Sequence, residues 1–131
     1  MRPTLSLTLV LGLTTLTGPA CKSSMDPSLP AGDVSIVPNA STMGSTAFSP
    51  DPFTESFPTR AQVIWVNADQ TTSVYGGTTG TPHHLVSDIG LFDSGLLSPG
   101  KSYPFTFAAS GTYTYHCVIH PTMVGTITLT P

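Results

Sequence analysis

Apolar and polar residues alternate through much of this chain, which is the period of a half-buried strand and not of a helix. Thr112 to Cys117 puts Tyr113, Tyr115 and Cys117 on one face, Ser102 to Phe107 does the same with Tyr103, Phe105 and Phe107, and Val124 to Thr130 alternates again. Val34 to Val37, Pro52 to Phe57 and His83 to Ser87 are shorter runs of this kind, and Leu91 to Leu97 joins two turns. Ala61 to Asn67 is the strongest β-run; its consecutive apolar residues Val63 to Val66 predict a central strand covered on both faces. Pro38-Asn39, Asp88-Ile89-Gly90 and Ser98-Pro99-Gly100 read as turns. Ser41 to Asp51 reads as a connection, with Ala47-Phe48 plugging into the core. Residues 68–82 hold five Thr, three Gly and a Pro with little periodicity and read as a long loop. Seven or so short strands between turns predict an all-β fold, a two-sheet antiparallel Greek-key β-sandwich.

The first thirty-three residues break this pattern. Met1-Arg2, the apolar run Leu5 to Leu16 and the small residues Gly18-Pro19-Ala20 have the order of a secretory signal peptide, and the run is too short for a permanent span. Residues 1–20 are therefore expected to be removed on export, which places the protein in the periplasm or otherwise outside the cytoplasm. Cys21 follows as the lipid-accepting cysteine does in bacterial lipoproteins, although Gly18 stands where those usually have Leu. Residues 21–33, small, polar and Pro-containing, read as a flexible tether, lipidated at Cys21, so that membrane contact would come only through that anchor. One domain then occupies residues 34–131, and a monomer is expected.

Charge narrows the partners. Beyond the signal peptide Lys22, Arg60 and Lys101 face seven acidic residues, which excludes the basic patch that nucleic acid requires. Charged residues make up 8% of the chain against the usual roughly 25%. Weak long-range steering favours docking through an apolar patch.

Candidate chemistry concentrates in Cys117-Val118-Ile119-His120-Pro121-Thr122-Met123, a thiolate, an imidazole and a thioether within seven residues. Soft sulfur ligands with imidazole suit copper, and a His2Cys plane with a long axial Met is the geometry of a blue-copper electron-transfer centre. A second His must come from elsewhere. His83 or His84 can supply it, and periodicity does not choose between them, since Leu85 and Val86 are both apolar. Alternation turns Cys117 inward with Tyr113 and Tyr115 and His116 outward. A Cys21–Cys117 disulfide is the plainer use of two cysteines in an exported chain, but Cys117 sits among His and Met at ligand spacing.

Val34 to Leu129 resembles the plastocyanin-like cupredoxins. The resemblance is carried by Val34-Ser35-Ile36-Val37, Ala47-Phe48-Ser49-Pro50, Trp65-Val66-Asn67-Ala68-Asp69, Pro82-His83, Ser87-Asp88, Gly90 to Gly95, Pro99-Gly100, Phe105-Thr106-Phe107, and Gly111 to Cys117 through Met123-Val124-Gly125. It implies a cupredoxin-like sandwich and one copper ion cycling between Cu(I) and Cu(II). In such proteins the upstream ligand follows a Pro or similar residue, which selects His83, with Cys117, His120 and Met123 as the others. The gap between His120 and Met123 resembles the short ligand loop of amicyanin. Four departures stand out: His84 replaces the Asn or Thr common beside the ligand His, residues 70–81 are longer than in close relatives, Pro58-Thr59 replaces a Gly-containing turn, and Ile119 stands where Pro is found. The N–H that Ile119 adds is expected to point at the Cys117 sulfur.

These readings converge on a type 1 copper protein carrying single electrons between transient redox partners that dock at an apolar patch near His120. Extracytoplasmic copper storage or delivery would use the same ligands. An enzyme would need further histidines at an open copper position, and beyond the proposed site only His84 and His116 remain.

Overall fold

The structure, a computed structural model, describes residues 31–131. The expected signal peptide, Cys21 and most of the tether lie outside the described residues. Eleven strands follow in order: β1 (Val34–Ile36), β2 (Phe48–Ser49), β3 (Phe53–Ser56), β4 (Gln62–Asn67), β5 (Gln70–Thr72), β6 (Thr78–Gly80), β7 (His83–Ser87), β8 (Asp93–Leu97), β9 (Ser102–Thr106), β10 (Gly111–Cys117) and β11 (Val124–Thr130). Among the described residues the helical content is two single 3₁₀ turns, Ala40–Thr42 and Gly44–Thr46.

Two sheets form the sandwich, one ordered β2-β1-β4-β9 and the other β3-β11-β10-β7-β8. This is the expected architecture, with pairing that is antiparallel except at two places: β1 runs parallel to β4 and β3 parallel to β11. The reason is topological. Parallel neighbours need a crossover rather than a hairpin, and the chain between β1 and β4 leaves the first sheet, lays β3 on the edge of the second, and returns. Alternation within a strand carries no information about this.

The segment 68–82 is not a plain loop. It contains a two-stranded antiparallel ribbon, β5 with β6, in register Thr71↔Thr79. The ribbon is hydrogen-bonded to neither sheet of the sandwich, and its residues show no apolar alternation. Its tip carries Val74 and Tyr75, each 95% exposed.

The core is aromatic. Trp65 is fully buried on β4, with ring centroids 5.0 Å from Phe92 and 5.5 Å from Tyr115. Val63 joins Trp65 on the inner face, while Val66 is covered from outside by the backbone of Gly32, where an added Cβ would fall 2.2 Å from Val66 Cγ2. Ile64 on that outer face stays half-buried, so the two-sided covering expected of β4 is complete only at Val66. Pro104 sits in β9, an edge strand, where its missing N–H costs no ladder bond on the solvent side. The inward residues of β10 and β7 end this core at one pole of the sandwich, and the ligand-type side chains gather there.

Candidate metal centre

Strand geometry decides between the two adjacent histidines. On β7 the inward positions are His83, Leu85 and Ser87, and His83 is wholly buried, while His84 and Val86 face outward. β10 pairs with β7 in register Cys117↔Leu85, which brings the inward Cys117 beside His83. Cys117 is also fully buried.

The chain then turns tightly. Cys117 N–H donates to the Met123 carbonyl (3.0 Å), Met123 N–H donates to the His120 carbonyl (2.9 Å), and Val118 N–H donates to the His84 carbonyl (2.8 Å). These bonds close a compact loop, pin it to β7, and return His120 toward Cys117. Met123 at the loop's end is fully buried, and Val118 and Ile119 remain exposed.

The result is a three-residue cluster. Cys117 Sγ stands 3.8 Å from His83 Nδ1 and 3.8 Å from His120 Nδ1, and the three ligand atoms all lie within 4.8 Å of one another. With metal–nitrogen bonds of about 2.0–2.1 Å and a metal–sulfur bond of about 2.3 Å, as at zinc, a sulfur and a nitrogen 120° apart stand about 3.8 Å from each other. Both sulfur–nitrogen distances fit two ligands of a shared metal. Among the described residues the cluster is the one grouping of this kind.

Electrostatics prepare the sulfur. Burial pushes the Cys117 thiol up, but hydrogen bonding with His83, the backbone N–H of His84 and the loop at His120 outweigh it and bring the thiol down to about 6. His83 moves the other way: burial lowers it, and its hydrogen bonds with Cys117 and Asp69 raise it above the usual imidazole value. A thiolate is the form that binds metal.

The backbone N–H groups that meet the sulfur are those of His84, 3.5 Å from Sγ, and of His120; that of Ile119, expected there, is not among them. β7 runs alongside Cys117 and points the His84 amide at it, whereas Ile119 lies in the exposed part of the loop. The His84 side chain turns away to Asp93 on β8 (Nε2 to Oδ1, 2.5 Å), so the replacement of Asn or Thr leaves the backbone ties to the loop intact. His116 faces outward as expected, its Nδ1 2.6 Å from Asp88 Oδ1.

One residue at the site was not singled out from sequence. Asp69 Oδ2 lies 3.0 Å from His83 Nε2, although the two are fourteen positions apart. The available signal was an acid two residues after β4, in a sequence with few charges.

A sequence model of the copper-binding proteins of the plastocyanin/azurin family matches residues 40–130. The chain belongs to that family. Copper is thus the metal of this chain, with the cluster a possible site for it, and electron transfer the class of function. Among solved structures, a purple cupredoxin from Nitrosopumilus maritimus is similar at 24% identity over 76% of this chain and all of that one, with a TM-score of 0.57. A copper-containing nitrite reductase from Thermus scotoductus SA-01 is similar at 28% identity over 64% of this chain, which spans 20% of that enzyme, with a TM-score of 0.50. A reduced amicyanin variant aligns at 25% identity over 52% of this chain and 60% of that one, with a TM-score of 0.41. A search of curated proteins found no match. In this cupredoxin no helix among the described residues is long and apolar enough to cross a membrane.

Proposed function

We propose that this cupredoxin carries single electrons between protein partners outside the cytoplasm, through one copper ion that His83, Cys117, His120 and Met123 would hold. The observation that carries this reading is the placement of the three ligand atoms within 4.8 Å of one another on two paired strands and a loop closed by backbone hydrogen bonds. Copper supplies the one-electron couple when bound. The protein's part is to hold sulfur and imidazoles in one arrangement for both oxidation states, because side chains fixed by β7, β10 and the closed loop do not rearrange when the charge changes.

Burial of His83 and Cys117 favours a carrier over a storage protein, since a metal to be handed on needs ligands that exchange with solvent or a partner. The other histidines, His84 and His116, are each engaged with an aspartate on the outer face, which supports a carrier over an enzyme with a second, open copper. His120 is the partly exposed member of the cluster, and Val118 and Ile119 beside it are 48% and 46% exposed. That apolar rim supports small, transient docking of redox partners to a monomer. The order of Met1 to Cys21 supports export and a lipid tether, which membrane fractionation of wild type and Cys21→Ala would test.

Copper titration followed by visible spectroscopy and voltammetry tests the central reading. One equivalent of Cu(II) should give an intense thiolate-to-copper band and a reversible one-electron wave. A colourless Cu(II) complex would rule the type 1 site out, and rapid loss of copper to a chelator with no reversible wave would favour storage or delivery.

A further inference from the structure

The side of the His83 ring away from Cys117 meets a buried carboxylate. Asp69 is 6% exposed, and among the described residues its charged partner is neither Lys nor Arg but His83, at 3.0 Å from Oδ2 to Nε2. Removing a carboxylate from water without a cation is costly, so the position needs a reason beyond packing.

Asp69 is also held fast. Its N–H donates to Asn67 Oδ1 (3.0 Å), its carbonyl accepts from Thr81 N–H (3.0 Å), and its Oδ1 accepts from Asn39 N–H (2.7 Å). The Thr81 bond closes the base of the β5–β6 ribbon, so the inserted residues project outward while Asp69 and His83 stay together. Asn67, fully buried, reinforces the same junction by donating through Nδ2 to the carbonyls of Thr81 and Leu97 (2.9 Å each). The free oxygen Oδ2 is left with one direction to face.

We propose that Asp69 is a positioning residue of the copper centre, keeping the His83 hydrogen on Nε2 so that the Nδ1 lone pair faces the metal, and favouring Cu(II) through its negative charge. This rests on the reading of His83 as a ligand. A carboxylate only accepts hydrogen bonds, so Nε2 must be the donor and Nδ1, 3.8 Å from the Cys117 sulfur, is free to bind. Partners behind ligating histidines set tautomer, ring orientation and basicity in this way. The more highly charged ion gains more from a nearby negative charge, so the carboxylate lowers the reduction potential.

The test is Asp69→Asn in the full copper-loaded protein, with Asp69→Glu as the conservative variant. Asp69→Asn should keep the blue band while lowering the preference for Cu(II) over Cu(I) about tenfold, an upward shift of about 59 mV, and Asp69→Glu should restore part of it. A blue Asp69→Asn protein with an unchanged or lower potential overturns the proposal and leaves the copper reading standing. A wild type that does not colour overturns both. If Asp69→Asn fails to fold or load, long-range 1H–15N spectra of wild-type Cu(I) protein decide: a hydrogen on His83 Nε2 supports the proposal, and one on Nδ1 overturns it.

Discussion

Gly125 lies directly across the β10–β11 ladder from Tyr115, and a Cβ at Gly125 would come within 2.5 Å of the Tyr115 phenol and 2.9 Å of Phe48. The tyrosine ring occupies the space a side chain would need, so the strand two residues beyond Met123 can approach the core closely. Gly125→Ala is expected to lower the urea unfolding midpoint of the metal-free protein by an overpacking cost of about 1–3 kcal/mol, with no change expected in the β content seen by circular dichroism.

Tyr115 Oη and Trp65 Nε1 are both buried without a well-formed hydrogen bond, and the polar side-chain group that faces the phenol is the Trp65 indole. Burial pushes the phenol well above its ordinary value, so it stays neutral. Tyr115→Phe removes an unsatisfied polar atom from the core and should be neutral or stabilising. A loss of more than about 1 kcal/mol in urea unfolding, the worth of one net hydrogen bond, would show that the hydroxyl has a partner after all.

Asn67 spends its whole amide on the junction behind the metal centre. Asn67→Ala leaves two carbonyls and one N–H without their partner in the interior, and should cost about 2–4 kcal/mol. Urea unfolding of the metal-free variant measures this.

His83→Ala should lose the blue band and His84→Ala should keep it, because β7 turns His83 inward to Cys117 and His84 outward to Asp93. Visible spectra of the two copper-loaded variants check this directly. Retention of the band in His83→Ala would remove His83 from the ligand set.

The metal-free Cys117 thiol should titrate near pH 6 and not near 9. The shift is downward, so the thiolate predominates at neutral pH and its ultraviolet absorbance should disappear as pH falls through about 6. The difference spectrum against Cys117→Ser isolates this group from Cys21. A midpoint above 8 would mean that burial outweighs the hydrogen bonds around the sulfur.

Alternation in the sequence was enough to orient Tyr113, Tyr115 and Cys117 inward and His116 outward, because successive side chains of any strand leave opposite faces whatever that strand pairs with. The spacing of Cys117, His120 and Met123 was equally local, since seven consecutive residues can gather around one point without help from the rest of the chain. Choosing His83 over His84 by pattern alone was not open, as the apolar residues after them supported both registers.

Other features depended on which distant segments meet. The parallel pairs β1–β4 and β3–β11 follow from a crossover between sheets, and the β5–β6 ribbon hides from a pattern search because its Thr- and Gly-rich strands carry no apolar alternation. One amide that reaches the Cys117 sulfur comes from His84 on a neighbouring strand, and the loop contributes that of His120, where local reasoning looked to Ile119. Asp69 meets His83 across an inserted ribbon. Hydrogen bonds and charges act through space, so contacts between residues far apart in sequence exist only once the sandwich has closed. The sequence by itself settled the strand faces and the ligand types; the tertiary structure decided which histidine enters the site, which amide meets the sulfur, and which carboxylate stands behind the metal centre.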